Sequence, residues 1–374
     1  MQSTRVCLRL LPLALALASV TPAMARGEEA TSATSPYLER AFEQYPDADE
    51  NEDGILTETE AIRYRKMLRK FSETMDVSET EMKPDLENVS YGPHPRNIMD
   101  FWKAKSDTPT PLVIYIHGGG FVGGDKKAVR SMRLLEKMLG AGVSVASINY
   151  RFLNQANINL ILRDGARAVQ FARLNAAKHN IDPKRIALAG TSAGSGMAMW
   201  TAFHDELADP SSFDPVLRRS SRVRCVAAIN PQASYDMRVW DRIMGAPPVG
   251  KPMGNAFYGI NLDAGDTQDM LERAMKDASM LDQISRGDPP LFLSCRYLNT
   301  TPKSNAHYKH HPKQSIALKE RCDEVGIECI TALRSDGVSS RAADNRLIMF
   351  LLSHLDVAIP DEFKTLMEDG AERP

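Results

Sequence analysis

Apolar and polar positions alternate in two distinct periods along this chain, and the change of period divides it. Over residues 37–71 the apolar positions recur at helical spacing, with Ala61, Tyr64, Leu68 and Phe71 on one face of a helix predicted over 58–71. A preceding helix is predicted over 37–45 and stopped by Pro46. From Tyr91 onward the pattern becomes short continuous apolar runs separated by helical stretches. Strands are predicted at 98–102, 112–116, 143–149, 186–189, 223–229, 291–293 and 329–333, and helices at 129–139, 161–175, 193–203 and 314–325. His354 falls near the end of a further, terminal helix. Strands that are apolar throughout and alternate with helices predict an α/β fold, a doubly wound, mostly parallel sheet covered on both faces. A small helix-loop-helix precedes it. In such sheets ligands bind at the carboxyl ends of the strands.

The first residues follow neither period. Arg5 and Arg9 precede an apolar run at 10–20 and the small-x-small sequence Ala23-Met24-Ala25, which predicts a signal peptide cleaved after Ala25. The run is too short to span a bilayer, and no later segment is long and apolar enough to do so. A secreted or periplasmic protein without a membrane span is expected. The resulting division is a signal peptide at 1–25, a helix-loop-helix at 26–71, a linker at 72–84 and the sheet domain at 85–374. A net charge of −2 offers no footprint for nucleic acid. In an oxidising compartment Cys225, Cys295, Cys322 and Cys329 permit disulfides, with Cys322–Cys329 the favoured pair.

Between the first two helices, residues 49–60 carry oxygen donors at every second position: Asp49, Asn51 and Asp53, then Gly54, Ile55 and, at the twelfth position, Glu60. Asp49, Asn51 and Asp53 converge on one side of a hard cation, Ile55 offers its carbonyl, and Glu60 closes the shell with both oxygens. The segment matches the EF-hand calcium loop at each fixed position. Ca2+ held as a structural clip is the expected cofactor.

Two motifs sit at the ends of predicted strands. His117-Gly118-Gly119-Gly120 follows the run 112–116, and Gly190-Thr191-Ser192-Ala193-Gly194 joins 186–189 to a helix. The second is a strand–turn–helix that lifts the Ser192 hydroxyl clear of the sheet as a nucleophile. The amides of Gly118, Gly119, Gly120 and Ala193 form the expected oxyanion hole.

From about Tyr91 onward the chain resembles an α/β-hydrolase of the carboxylesterase and hormone-sensitive-lipase-like type. The resemblance rests on residues 112–121 (LVIYIHGGGF), Asn149-Tyr150-Arg151, residues 182–194 (DPKRIALAGTSAG) and Asp288-Pro289-Pro290-Leu291. It implies hydrolysis of carboxylic esters through an acyl-enzyme, on small-molecule or carbohydrate esters, with His117 an architectural residue of the oxyanion loop. It also implies an acid about ten residues after Pro289 and a histidine after strand 329–333. The first place holds Asn299, and Asp236 is the alternative orienting group; the second reads Arg334-Ser335-Asp336-Gly337-Val338-Ser339-Ser340. His307, His310 and His311 lie in the segment of the expected acid, and His310 or His311, just before Pro312, is the candidate relocated base. A metal site formed by the three histidines is another reading. The sequence therefore supports a serine esterase with an unconventional base. The alternatives are a catalytically impaired hydrolase-fold binding protein and a calcium-dependent assembly module. Residues 235–274, rich in Met, Gly and Pro, are expected over the acyl pocket.

Overall fold

The structure is a computed structural model that describes residues 29–44, 48–49, 51, 53–74, 82–245, 254–302, 304–361 and 363. The expected signal peptide, Pro46 and most of the expected linker lie outside these residues. The described residues form two compact units.

The larger unit, Met82–Arg296 with Pro312–Pro374, is built on one sheet of eight strands in the order β1-β2-β4-β3-β5-β6-β7-β8. These are β1 Leu86–Ser90, β2 Ile98–Trp102, β3 Thr110–Ile116, β4 Ser144–Ile148, β5 Ile181–Thr191, β6 Val226–Ile229, β7 Leu291–Cys295 and β8 Cys329–Leu333. β2 pairs antiparallel with both β1 and β4, and every other pairing is parallel. The doubly wound reading of the sequence therefore holds, with an antiparallel edge added.

All seven residues of β3 are buried, as a strand covered on both faces requires. Its side chains alternate between two cores. Leu112, Ile114 and Ile116 join Leu188, Trp200 and Leu318 on one face, while Val113 and Tyr115 join Val145, Ala187 and Leu351 on the other. Helices α4 (Ile158–Leu174), α5 (Ala193–Phe203) and α10 (Pro312–Val325) cover the first face; α3 (Arg133–Gly140) and α11 (Ser340–His354) cover the second. Every residue of α5 is buried, which explains why its sequence shows no polar stripe. The described residues between 237 and 283 supply α6 (Met237–Met244), α7 (Gln268–Asp277) and α8 (Met280–Gln283), helices in a region where the sequence shows only Met, Gly and Pro enrichment.

The smaller unit comprises the described residues up to 81 together with Tyr297–His311. It contains α1 (Pro36–Gln44), α2 (Glu58–Thr74) and the short α9 (Asn305–Lys309). α2 runs three residues past Phe71. One boundary differs: Tyr297–His311, which the sequence assigns to the sheet domain, packs with the N-terminal helices. Among the described residues no helix is long and apolar enough to cross a membrane.

Candidate active site and acidic loop

At the carboxyl end of β5 the chain turns sharply into α5, and Ser192 stands at the turn with φ 55° and ψ −122°. Positive φ is uncommon for a residue with a side chain, and such strain costs about 1–3 kcal/mol. It is held from both sides. The Ser192 amide donates to the Ile229 carbonyl on β6 (2.9 Å), and the Ser192 carbonyl accepts from the amides of Ser195 (2.9 Å) and Gly196 (3.1 Å). The Ser195 hydroxyl donates to the same carbonyl at 2.6 Å. The Ser192 side chain does not cap α5. The Ala193 amide, the first of the helix, has no carbonyl one turn back within α5 to accept it, which leaves it to an incoming oxyanion.

The oxyanion loop at the end of β3 meets this turn. A Cβ placed on Gly118 would lie 3.2 Å from the Ser192 Cβ, which fixes how close the two motifs approach. Gly194 permits that approach: a Cβ there would overlap the Ile116 carbonyl and stand 2.6 Å from the His117 oxygen. Gly119 has φ 113°, and its carbonyl accepts from Val122 (3.0 Å) and Gly123 (3.1 Å). That closes a tight turn which only glycine enters without strain. The sequence-predicted Ser192, Gly118, Gly119, Gly120 and Ala193 are thus gathered at the ends of β3 and β5.

Behind the loop, His117 is buried and stacks on Tyr150 with ring centroids 4.4 Å apart. Its Nδ1 lies 2.6 Å from the Gly118 carbonyl and therefore donates to it. Burial pushes its pKa down to about 4, so the ring is neutral near pH 7. This fits an architectural part. The Tyr150 hydroxyl donates to the His117 carbonyl (2.8 Å), and Asn149 links Asp125 to the Lys126 amide. Arg151 is clamped onto Asp164, at 2.7 Å from Nη2. Tyr150 thus braces the oxyanion loop directly, while Asn149 and Arg151 fix the segments on either side of it. Asp125 and Asp164, their partners, carry no sequence signal of their own.

The expected acid and base positions are occupied differently. Asn299 is exposed. Asp236 caps α6 through the Arg238 amide (3.0 Å) and is gripped by the Arg238 guanidinium, 2.7 Å from Nη2. Its carboxylate is therefore committed to that helix start. At the ends of β7 and β8 stand Arg296 and Arg334. The Arg296 amide donates to Asn230 (2.9 Å), and its guanidinium lies 3.4 Å from Asp344. Arg334–Asp336 form a single 3-10 turn, and Ser339 caps α11 by accepting from the Ala342 amide at 3.2 Å. His354 ends α11 with Nδ1 2.8 Å from the Phe350 carbonyl.

The candidate bases His310 and His311, with His307, belong to the smaller unit and stack with one another and with Tyr297. Ring centroids are 5.5 Å apart for Tyr297–His307, 5.7 Å for Tyr297–His310 and 5.3 Å for His307–His311. His307 Nε2 donates to the Leu298 carbonyl (2.8 Å) and His311 Nε2 to the Thr300 carbonyl (2.9 Å).

In the acidic loop of the same unit, the Asp49 carboxylate accepts from the amides of Asp53 (3.2 Å) and Gly54 (2.9 Å). Asn51 Oδ1 accepts from Asp53 (3.0 Å), and Asp53 Oδ1 from Ile55 (2.8 Å). Glu60 reaches back as a capping box to the Thr57 amide (2.9 Å) and to the Asn51 amide (3.3 Å). Burial, together with the charges of Asp53 and Glu60, raises the Asp49 pKa. Among the described residues no three Asp, Glu, His or Cys side chains already converge as a closed metal cluster. The donor chemistry nonetheless fits a hard cation: oxygens only, in the order Asp49, Asn51, Asp53, Ile55 and Glu60, with a buried carboxylate burdened by like charge. The outer edge of the loop is paired by residues 30–32. Thr31 bridges Thr57, the Ser32 amide donates to Leu56 (2.8 Å), and the Glu58 amide donates to Ala30 (3.0 Å).

Comparison with known proteins agrees with the fold. Among curated proteins, an isoprenylcysteine alpha-carbonyl methylesterase of Arabidopsis thaliana is 31% identical over 114 residues, covering 30% of this chain and 26% of the relative. The esterase LipC of Mycobacterium tuberculosis is 26% identical over 210 residues, covering 55% of this chain and 49% of the relative. The chain thus spans half or less of the length of these relatives. Two solved structures share the fold. A truncated carbohydrate esterase from gut microbiota has a TM-score of 0.58 at 21% identity, covering 75% of this chain and 99% of that one. An acetyl ester-xyloside bifunctional hydrolase from Caldicellulosiruptor lactoaceticus has a TM-score of 0.52 at 20% identity, covering 73% and 96%. The BD-FAE family model matches residues 99–295, from β2 to the end of β7 and through both glycine motifs. With more than half of its length matched, the chain belongs to the BD-FAE family of α/β-hydrolase-fold esterases.

Proposed function

We propose that this protein is an exported carboxylic-ester hydrolase in which Ser192 is the nucleophile. The observation that carries the reading is the strained Ser192 turn packed against the oxyanion loop, 3.2 Å from its Cβ to a Cβ position on Gly118. The Ser192 oxygen attacks the ester carbonyl carbon, and the carbonyl oxygen becomes an oxyanion facing the amides of Gly118, Gly119, Gly120 and Ala193. The bond to the alcohol then breaks, the alcohol leaves with the serine proton, and water later hydrolyses the acyl-serine. Each oxyanion donor of this kind is worth about 2.7–4 kcal/mol at the transition state. The carbohydrate esterases among the structural neighbours favour acylated sugars, beside small esters, as the substrate class.

Proton transfer is the weaker half. Asn299 is exposed and Asp236 is held by Arg238, while β8 leads into Arg334 instead of a histidine. His310 and His311 remain the candidates by chain position. Turnover of p-nitrophenyl acetate tests the assignment. Ser192→Ala should abolish it, and His310→Ala or His311→Ala should lower it by about 10²–10⁴-fold if either acts as the base. Unchanged turnover in both histidine variants removes them from the reaction, and unchanged turnover in Ser192→Ala removes the serine mechanism. The arginines at the ends of β7 and β8 favour a second reading, a hydrolase-fold protein that binds esters with little turnover. A residual ~10³–10⁴ over water is the ceiling for an oxyanion hole acting without a base.

The loop of residues 49–60 is proposed to hold one calcium ion through Asp49, Asn51, Asp53, Ile55 and Glu60, as a clip on the smaller unit. Residues 30–32, bridging Thr57, supply the edge pairing that a neighbouring hand would provide. Isothermal titration with Ca2+ should give one site, lost in Glu60→Gln. A calcium-free protein of unchanged thermal stability would contradict it.

A further inference from the structure

The segment between β7 and α10 is where this chain departs furthest from its sequence-based expectation. Instead of presenting an acid after β7, Tyr297–His311 packs with the calcium loop. Tyr297 meets Phe42 of α1 edge to face, with ring centroids 5.7 Å apart at 69°. His307 is fully buried and lies over the turn of the loop, its Nδ1 3.3 Å from where a Cβ on Gly54 would stand. The Gly54 amide in turn donates to the Asp49 carboxylate at 2.9 Å. A continuous path of packed groups therefore runs from the first calcium donor through Gly54 to His307, and from His307 by ring stacking to Tyr297 and His311. Ser304 starts α9 by accepting from the His307 amide at 3.0 Å, which places the ring on a helix instead of a free loop.

We infer that occupancy of the 49–60 loop by calcium controls the order of Tyr297–His311, making the loop a conformational regulator of the segment that follows β7. This rests on the calcium reading above. Physically, a cation drawn in by Asp49 and Asp53 fixes the turn at Gly54, and that turn is the surface on which His307 rests. Without the cation, the like charges of Asp49, Asp53 and Glu60 oppose closure of the turn, and the stacked rings lose their seat. Because coupling is reciprocal, the packing of His307 must raise calcium affinity by the same factor as calcium raises the order of the segment.

The test is hydrogen exchange by mass spectrometry on the full chain, with Ca2+ or with chelator, for wild type and Glu60→Gln, alongside calorimetric titration of Ca2+. Amides of 297–311 should exchange about tenfold more slowly with calcium, within the usual range of coupling factors. Glu60→Gln should show no calcium response, and peptides of β3 and β5 should not change. His307→Gln, and separately the milder Phe42→Leu, should weaken calcium binding about fivefold or more. Calcium binding with unchanged exchange in 297–311 would overturn the coupling and leave the calcium site standing. Absence of both binding heat and exchange response would overturn the site and the coupling together.

Discussion

Gly194→Ala probes the contact on which the proposed active site depends. A methyl group at this position would overlap the Ile116 carbonyl and come within 2.6 Å of the His117 oxygen. Both obstacles are backbone at the end of β3, a fully buried strand hydrogen-bonded to neighbours on both sides, so neither can move aside as a side chain would. Overpacking of a tight core costs about 1–3 kcal/mol, and backbone obstacles place this variant at the upper end, near 3 kcal/mol. For a domain of this size that corresponds to a fall in Tm of about 5 °C. The larger effect falls on chemistry. Relief of the overlap moves the Ser192 turn away from the oxyanion loop by a fraction of an ångström to about 1 Å, and misplacement of that order costs roughly 10²-fold in rate. The matched control is Gly140→Ala, at the end of α3, where an added Cβ meets nothing within 4 Å. It should be neutral or slightly stabilising, because alanine is favoured over glycine in helices by up to about 1 kcal/mol. Differential scanning fluorimetry and p-nitrophenyl acetate turnover on both variants suffice. A Gly194→Ala protein with wild-type Tm and wild-type turnover would refute the close approach of the two motifs.

Three further predictions rest on buried or half-buried polar groups. Burial raises the Asp100 carboxyl, but bonds from Lys126, the Asn88 amide and Arg130 outweigh it and lower the pKa; Lys126 Nζ lies 2.7 Å from Oδ1 and is itself buried. The stability this group confers is present above the ordinary aspartate value of about 3.9 and is lost as pH falls through the depressed value. Asp100→Ala, which strands Lys126, should cost about 3–5 kcal/mol in chemical denaturation, and a loss below 1 kcal/mol would dismiss the pair. Burial opposes charging of His204, yet Asp277 at 3.0 Å raises its pKa overall. Its contribution is present below the ordinary histidine value near 6.5 and is lost as pH rises through the raised one. An NMR titration midpoint above that value, falling in Asp277→Asn, is expected; no change on substitution would reject the assignment. The thiols of Cys322 and Cys329 share a side-chain hydrogen bond while all four described cysteines are unbridged. Glutathione disulfide should therefore link this pair, with stabilisation of about 2–3 kcal/mol. Four thiols titrating after oxidation would count against it.

What the sequence makes legible follows the range of each physical signal. β3 and β5 are buried on both faces, so their apolar runs stand out, and the glycine motifs at their ends mark the turn chemistry directly. β1 leaves no apolar run in the sequence because Leu86-Glu87-Asn88-Val89-Ser90 is a half-exposed edge strand whose residues are mostly polar. Oxygen donors at alternate positions identify the 49–60 loop, since ligand spacing is a local property. Its edge partner, residues 30–32, joins through a single bridge at Thr31 and has no periodic signature. The association of Tyr297–His311 with the N-terminal helices was equally hidden. His307, His310 and His311 look alike in sequence, and only the fold shows that His307 and His310 stack on Tyr297 while His311 stacks on His307. Ser339, without apparent purpose in the sequence of the β8–α11 connection, proves to be a helix cap. Arg296 and Arg334 carry no sequence signal of their own, because arginine has no part in the expected triad.

The central claim is that Ser192 stands in a preformed nucleophile site, and a fluorophosphonate adduct tests it most directly. Incubation of the folded protein should give one phosphonyl group by intact mass, located on the peptide containing Ser192 and absent in Ser192→Ala. No adduct on the folded wild type, or an adduct that persists in Ser192→Ala, would contradict the account.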